Sequence, residues 1–517
     1  MFVIITPTVE RLLGIQQAEQ ACYFSACAEM AFRKHGVISV RGARPDRRAS
    51  SEFPIVTRLA RVDNSVLSGP ACVEGPPAPE VAAALRIAAE PRRARHIELL
   101  DALGQSVGNL LYPSFTVRQI PEDRGQRCEP YPFVSDDRIW NNRTIRFSRL
   151  SAGDPWKPIA FLRADEGDEL LPAAISDGRR IVFALPVFDL IVGGHAFPPL
   201  NVGYYTHTDC ARTFPIELWL IDQLLEHAAV AGIPTIQVRR WPEPFTAALT
   251  VRHDYDRPVD RHQLGDLLDF YDALGVKSSW GFLADRAEAE VTGTVTARGH
   301  EATLHSEAKS PASFAAELRR LREERGIEAA GYTTHGGVGS AGFLGQTQYQ
   351  WAVDESLEYG EILGRANHLP HSAIAAGTGL VPTILPLVLQ ASHRSLDAGT
   401  GPEAHNLDRL SRVVADLLRD GGHAVVMNHP DIHFAQLRQL LGELHLAAVW
   451  PATFRQIGRW VSAAKLRSRV ELTEAGLQVT FSAPLPVATS LNATLGPDRK
   501  CTFTCDAGTT TTFVDRS

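Results

Sequence analysis

The sequence predicts an α/β protein in which a deformed (β/α) barrel is preceded by an α/β domain and followed by a small antiparallel β domain. Two patterns support this fold class. Short apolar runs alternate with amphipathic helical segments through the middle of the chain, and after residue 465 apolar and polar residues alternate with period two around turn residues. The length of 517 residues exceeds the roughly 250–300 residues that one hydrophobic core organises, which indicates several domains.

The composition is typical of a globular protein, with 44% hydrophobic and 21% charged residues. The formal net charge is -7 and the 52 Lys and Arg residues are spread along the chain, so we expect no nucleic-acid partner. The opening MFVIITPTVERLLGIQQAEQ has no basic region or cleavage site of a secretory signal, and Pro186 and Asp189 interrupt the longest apolar run. We therefore expect no membrane span and, if Met1 is the true start, a cytoplasmic protein.

Four regions differ in pattern. Residues 1–150 mix helical segments with loop-rich passages and are assigned to an α/β region of unknown type. Residues 151–243 read as strand, helix and strand, with RRIVFALPVF as a buried strand and IELWLIDQLLEHAAVAG as a helix. Residues 244–465 form the predicted barrel. Residues 466–517, which include RVELTEAGLQVTFSA, form the predicted small β domain.

The barrel begins with the strand FTAALTV, which leads into two aspartates, and continues with the helix HQLGDLLDFYDALG, which ends at Gly275. Further strands are predicted at SSWGFLA, EATLH, AAGYTTH and HAVVMNH, and PASFAAELRRLREERG is a helix between two of them. Repeated strand and helix units predict a parallel sheet, most economically closed as a barrel. Ligand chemistry is then expected at the carboxyl ends of the strands.

Asp254 and Asp256 stand at the first of these ends. Being two residues apart on a strand, they point to the same side of the sheet. One carboxylate can hold a divalent metal while the other, whose pKa is raised by its neighbour's charge, serves as a general base. Alternatively, the pair could cap the turn before Pro258.

Histidines end three more strands. His305 ends EATLH, His335 precedes a glycine turn, and His429 precedes a proline that favours an extended backbone. His300 has odd spacing from His305 and therefore points to the opposite face. Asp431 could orient a histidine ring. Each histidine alone could be structural, but four strand ends that each supply Asp or His favour a metal site.

The order of these motifs resembles the polysaccharide deacetylase family, also called carbohydrate esterase family four, which includes chitin and peptidoglycan deacetylases. ALTVRHDYDRP resembles the first motif, GHEATLHSEAKS the second, usually written GHEIGLHSHTH, and VVMNHPDIH the last. The resemblance implies that Asp254 is the catalytic base, that Asp256 and His305 bind the metal, and that His429 protonates the leaving amine. It covers residues 245 to about 465, under half of the chain.

Two positions depart from the family pattern. Lys309 stands where the family has its second metal-binding histidine, and a protonated lysine is not a ligand. GYTTHGG stands where the family has an arginine-bearing motif that orients the base. Either the third ligand comes from elsewhere, with His335 as first candidate and His371 as second, or the metal is lost. Zinc is the expected ion for a His/Asp site, and cobalt or nickel would fit the same ligands.

The resemblance implies a hydrolase of carbon–nitrogen (amide) bonds that removes acetyl groups from N-acetylated sugars of a bacterial polysaccharide or its precursor. One alternative is a non-catalytic binding or scaffold protein of polysaccharide biosynthesis, and another is a metal hydrolase of a different amide or ester. Residues 151–243 weakly resemble the glutamine-amidotransferase-like domains that accompany some deacetylases. They contain no nucleophile elbow with a cysteine, so we expect a silent scaffold or carbohydrate-binding domain. The sequence leaves the oligomeric state open.

Overall fold

The computed structural model describes residues 2–5, 32–38, 40–43, 53–56, 64–111, 145–165, 167–185, 207–335, 351–361, 369–375, 379–385, 411–412, 414–431, 434–466, 468–473, 476–496 and 498–515. Within these ranges, no helix is long and apolar enough to cross a membrane.

The first part of the described chain is dominated by one large mixed sheet. Its elements, in chain order, are β1 (Phe2–Ile5), β2 (Val40–Ala43), β3 (Phe53–Val56), α1 (Asn64–Leu67), β4 (Ala71–Val73), α2 (Pro79–Leu85), β5 (Ile87–Ala94), β6 (His96–Asp101), β7 (Ser106–Leu111), β8 (Ile145–Ala152), β9 (Lys157–Ala164), β10 (Leu170–Ser176) and β11 (Arg180–Phe183). The strand order is β2-β1-β3-β4-β11-β10-β9-β6-β7, and β5 pairs with β8 in a separate antiparallel ribbon. Because β9, β10 and β11 lie between β4 and β6, this sheet crosses the predicted boundary at residue 150.

A long helix and a short strand connect this sheet to the barrel. The helix α3 (His207–Val230) contains the predicted helical segment and ends before Gly232, which has a φ of 71°. The strand β12 (Thr235–Val238) follows it. The predicted helix is confirmed, and its buried side chains include Leu220 and Leu224.

The described residues from Ala247 to Leu466 form an α/β barrel-like unit. Its elements are β13 (Ala247–Tyr255), α4 (Arg261–Leu274), β14 (Ser278–Phe282), α5 (Ala289–Ala297), β15 (Glu301–Ser306), α6 (Pro311–Arg325), β16 (Gly331–Thr334), β17 (Tyr359–Glu361), β18 (His371–Ala375), β19 (Gly379–Leu385), β20 (His423–Asn428), α7 (Phe434–Glu443), β21 (Val449–Pro451) and α8 (Phe454–Val461), after which a π-helical turn covers Ser462–Leu466. The strand order is β18-β19-β17-β16-β15-β14-β13-β20, and β21 pairs with the start of β13. All pairings are parallel except that of β18 with β19. In the part of the chain that the structure describes, no ladder joins β20 to β18, so the predicted closure of the barrel is not seen there.

The local sequence explains the central elements. Every residue of β13, β14 and β15 is buried, which is typical of parallel strands covered on both faces. The side chain of Asp260 caps α4 by accepting hydrogen bonds from two backbone N–H groups, and Gly275 ends the helix with a φ of 66°. Ser310 and Gly326 delimit α6 in the same way. The predicted strands and helices of this region are confirmed.

The chain ends in antiparallel strands, as predicted. These are β22 (Arg469–Leu472), β23 (Gly476–Thr480), β24 (Thr489–Gly496), β25 (Arg499–Cys505) and β26 (Thr511–Asp515). One sheet has the order β22-β23-β26, while the other, β12-β24-β25, takes its first strand from before the barrel. The C-terminal strands are therefore continuous with residues 235–238. Cys501 and Cys505 both lie on β25 and are free thiols.

Candidate metal centre

Neighbouring strands bring the predicted site residues to one edge of the barrel sheet. Asp254 lies near the end of β13 and Asp256 follows it, while His305 lies near the end of β15. His335 follows β16, and His429 follows β20. Because these parallel strands are adjacent or nearly so in the sheet, their carboxyl ends meet at the same edge. All five residues that the sequence singled out therefore lie together.

Asp256 is the centre of this group. Its Oδ1 lies 3.5 Å from His305 Nε2, and its Oδ2 lies 3.3 Å from His335 Nε2 and 3.3 Å from His429 Nε2. One ligand atom from each of Asp256, His305 and His335 lies within 4.8 Å of the others. One carboxylate oxygen and two imidazole nitrogens form a donor set that zinc accepts.

The ring of His305 is oriented by Thr333. The Thr333 hydroxyl donates to the Leu304 carbonyl at 3.3 Å, so its oxygen accepts from His305 Nδ1 at 2.8 Å. Gly281 of β14 leaves room for this pair, because a Cβ there would lie 2.7 Å from Thr333 Oγ1. With the proton on Nδ1, His305 presents the lone pair of Nε2 to Asp256.

Two buried acceptor atoms face each other at this point, His305 Nε2 and Asp256 Oδ1. Burial lowers the pKa of His305 to about 4, so the ring is neutral at neutral pH. Its Nε2 and Asp256 Oδ1 are buried and have no hydrogen-bond partner among the described residues. Asp254 Oδ2 lies 3.6 Å from the same Nε2. His305 Nε2 and Asp256 Oδ1 thus face each other without a proton to share, and a bound metal ion would satisfy both atoms.

Asp256 itself is held in the ionised form. Burial acts to raise its pKa, but hydrogen bonds with His335 and His429 outweigh burial and keep the pKa well below its ordinary value. For His335, the hydrogen bond with Asp256 is the largest effect, and it raises the pKa of the ring. An ionised carboxylate is the form that binds a metal.

Asp254 is paired with an arginine that the sequence analysis overlooked. Its Oδ1 lies 2.7 Å from Nη2 of Arg252, two residues earlier on β13. Both side chains are buried, and the even spacing places them on one face of the strand. This contact occupies one carboxylate oxygen and leaves Oδ2 facing His305. Arg252 thus holds one oxygen of the Asp254 carboxylate.

Several other residues lie outside the group. Lys309 is exposed, and its backbone N–H is bonded to Ser313 Oγ. His300 is buried, with its Nδ1 accepting from the backbone N–H of Ser278. The side chain of His371, the second candidate for the third ligand, lies outside the described residues, as does His433.

No family model matches the sequence, and no curated protein matches it. Among solved structures, it is similar to a candidate polysaccharide deacetylase from Mycobacterium smegmatis, with 19% identity and a TM-score of 0.35 over 43% of this chain and 92% of that chain. It is also similar to the catalytic domain of a peptidoglycan N-acetylglucosamine deacetylase from Eubacterium rectale, with 14% identity and a TM-score of 0.26 over 40% and 89% of the two chains.

A third similar structure is a mutant of a carbohydrate esterase family four pseudoenzyme with restored enzymatic activity, with 10% identity and a TM-score of 0.28 over 41% of this chain and 67% of that chain. These solved structures carry the name of the family that the sequence motifs resemble.

Three residues of the centre could not be singled out as easily as the aspartates and histidines. Arg252 had a usable signal, since it stands two residues before Asp254 on a predicted strand. Thr333 had the same relation to His335. Glu307 stands two residues after His305, but its contact with His335, in which Oε1 lies 2.6 Å from Nδ1, has no local signal because the two residues follow different strands.

Proposed function

We propose that the barrel carries a divalent metal centre, held by Asp256, His305 and His335, that hydrolyses the acetamide bond of N-acetylated sugars. The observation that carries this proposal is the convergence of His305 Nε2 and Asp256 Oδ1, both buried and both without a hydrogen-bond partner among the described residues. Zinc is the ion that we propose, because one carboxylate and two neutral imidazoles suit it.

The remaining residues have distinct roles in the proposed reaction. When bound, a divalent ion supplies Lewis-acid chemistry at the acetyl carbonyl. Asp254 Oδ2 accepts a proton from water as the water oxygen bonds to the carbonyl carbon, while Arg252 holds the other carboxylate oxygen. His429 Nε2 donates a proton to the nitrogen as the carbon–nitrogen bond breaks. The products are acetate and a free amine.

The substrate class follows from the motifs at Asp254, His305 and His429, which resemble those of polysaccharide deacetylases. We propose an acetylated sugar of a bacterial polysaccharide or of its precursor. If the protein acts in the cytoplasm, a precursor is the available substrate.

The first experiment measures metal content by elemental analysis of the purified protein. We compare the native chain with Asp256→Ala and His305→Ala, and use Asp266→Ala and His445→Ala as matched controls because both residues are exposed. We expect close to one ion per chain in the native protein and both controls, and loss of the ion from both site variants.

The outcomes separate the competing functions. A native protein that binds no metal even after reconstitution with zinc would contradict the hydrolase and favour a non-catalytic binding protein, in which a protonated His335 bridges Asp256 and Glu307. A protein that binds metal but releases no acetate from acetylated glucosamine oligomers would retain the centre and require another amide or ester as substrate.

A further inference from the structure

Glu307 holds the ring of His335 from the side opposite Asp256. The distance from Glu307 Oε1 to His335 Nδ1 is 2.6 Å, and that from Asp256 Oδ2 to His335 Nε2 is 3.3 Å. An ionised carboxylate only accepts hydrogen bonds, so Nδ1 carries the proton that is shared with Glu307. Without a metal, the same rule places a second proton on Nε2, which donates to Asp256 Oδ2. A metal ion bound at Nε2 would take the place of that proton.

The backbone brings Glu307 to this position. The N–H of His335 donates to the Ser306 carbonyl at 2.9 Å, which joins the end of β16 to the end of β15. Ser306 Oγ donates to Glu317 Oε2 of α6 at 2.7 Å and accepts from the N–H of Ala308 at 3.2 Å. The turn that carries Glu307 is therefore fixed on both sides.

The two histidines of the centre are oriented by different groups. His305 is bonded to the neutral hydroxyl of Thr333, and His335 to a carboxylate. A carboxylate behind a ligating histidine fixes its tautomer and raises its basicity, and removing such a group typically costs about 10–100-fold in metal affinity.

We infer that Glu307 is a positioning residue that makes His335 the third ligand of the metal centre, in place of any ligand at the exposed Lys309. The inference rests on the proposed function, because it requires that the centre binds a metal. It concerns the ion's affinity and not the chemistry of the substrate.

The test is a zinc titration of the metal-free full-length protein against a chromophoric chelator. We expect Glu307→Ala to weaken zinc binding by about 10–100-fold. Glu307→Gln should lose less, because its amide oxygen still accepts from His335 Nδ1. The matched control is Glu328→Ala, since Glu328 has an 83% exposed side chain paired only loosely with Arg322 at 3.7 Å; its zinc affinity should be unchanged.

A double-variant comparison distinguishes positioning from a general effect on folding or charge. In a His335→Ala background, Glu307→Ala should produce no further loss of zinc affinity, because the ring that it holds is gone. Equal zinc affinity of the native protein and Glu307→Ala would overturn the inference while leaving the metal centre intact. The inference would also be overturned if Glu307→Ala weakened zinc binding by the same factor in the native protein and in the His335→Ala background. Absence of zinc binding by the native protein would overturn the proposed function, and the role of Glu307 with it.

Discussion

Arg252 and Asp254 show how much a single contact contributes to the centre. Arg252 is 1% exposed and Asp254 is 5% exposed, and their charged atoms lie 2.7 Å apart. A buried carboxylate that loses its partner is left with an uncompensated charge, which typically costs about 3–5 kcal/mol of stability. The pair therefore both orients the proposed base and makes its burial tolerable.

We expect Arg252→Met to lower the free energy of unfolding by about 3–5 kcal/mol, because it keeps the side-chain volume and removes the positive charge. The measurement is urea unfolding followed by tryptophan fluorescence. Adding Asp254→Asn should restore part of the loss, since the unpaired charge is then removed as well. A double variant that is as unstable as the sum of the two single variants would contradict this explanation.

The sequence was sufficient to find the residues that carry charge or a ligand atom at strand ends. Asp254 and Asp256 follow from their spacing, and His305 and His429 from the ends of apolar runs. The contact of Glu307 with His335 could not be found in this way, because it depends on how two strands align. That alignment is fixed by tertiary packing and not by local pattern.

At the scale of elements, Glu301 docks the start of α8 onto the sheet. Its Oε2 accepts from Ser279 Oγ at 2.8 Å and from the backbone N–H of Arg455 at 3.0 Å, and its Oε1 accepts from the Tyr359 hydroxyl at 2.7 Å. The first N–H groups of a helix have no partner within the helix, so Glu301 satisfies one of them. It stands at the start of β15, at the opposite end of the strand from His305.

Glu301 should give the protein a measurable pH dependence. Burial is the largest effect on its pKa and raises it, although the three hydrogen bonds act in the opposite direction. The folded protein therefore holds this proton more tightly than the unfolded chain does. As a result, the stability of the fold falls as pH rises above about 4.3, the pKa of a glutamate in the unfolded chain. Glu301→Gln removes the titration but keeps an oxygen that can accept from Ser279 and Arg455.

We expect the melting temperature of Glu301→Gln, relative to that of the native protein, to be higher at pH 7 than at pH 4. Thermal unfolding across this range is the measurement, with Glu328→Gln as the exposed control. A difference that is constant with pH, or that has the opposite sign, would show that the carboxylate is fully stabilised by its hydrogen bonds.

The elements themselves were largely predictable because local signals agree with the fold. Apolar runs predicted β13 and β20, and Gly275 predicted the end of α4. β18 and β19 were not predicted, and their antiparallel pairing departs from a regular barrel. Strand pairing at the edge of a sheet depends on neighbours distant in sequence, which a local pattern does not encode.

At the scale of the whole molecule, the predicted domains share one core. Buried side chains run without interruption from Phe53 and Leu162 of the first sheet, through Trp241 and Trp460, to Leu491 of the C-terminal strands. A second core lies within the barrel. The boundaries predicted at residues 243 and 465 came from changes in sequence pattern, and such changes carry no information on which faces are packed together.

The buried Lys465 lies where these parts meet. Its Nζ donates to the carbonyl of Arg240 at 2.7 Å and to that of Lys34 at 3.3 Å, and it lies 4.7 Å from the centre of the Trp460 ring. Arg33 donates to the Lys465 carbonyl at 3.0 Å. Contacts between residues more than 400 positions apart thus join the N-terminal region to the end of the barrel.

We expect a fragment of residues 244–465 to be less soluble and to melt at a lower temperature than the full chain. The fragment keeps the inner core of the barrel but loses the Trp241 ring, stacked 5.9 Å from Trp460, and Thr489, whose Oγ1 accepts from Trp460 Nε1 at 3.0 Å. Its outer face would then expose a contiguous apolar surface, which promotes association.

The measurement is calorimetry of this fragment beside the full chain and a longer fragment of residues 207–517, which retains both Trp241 and Thr489. The longer fragment should recover part of the stability, because it restores the pairing of β12 with β24. If the short fragment melted as the full chain does, the shared core would contribute nothing to the barrel, and residues 243 and 465 would mark an independent domain.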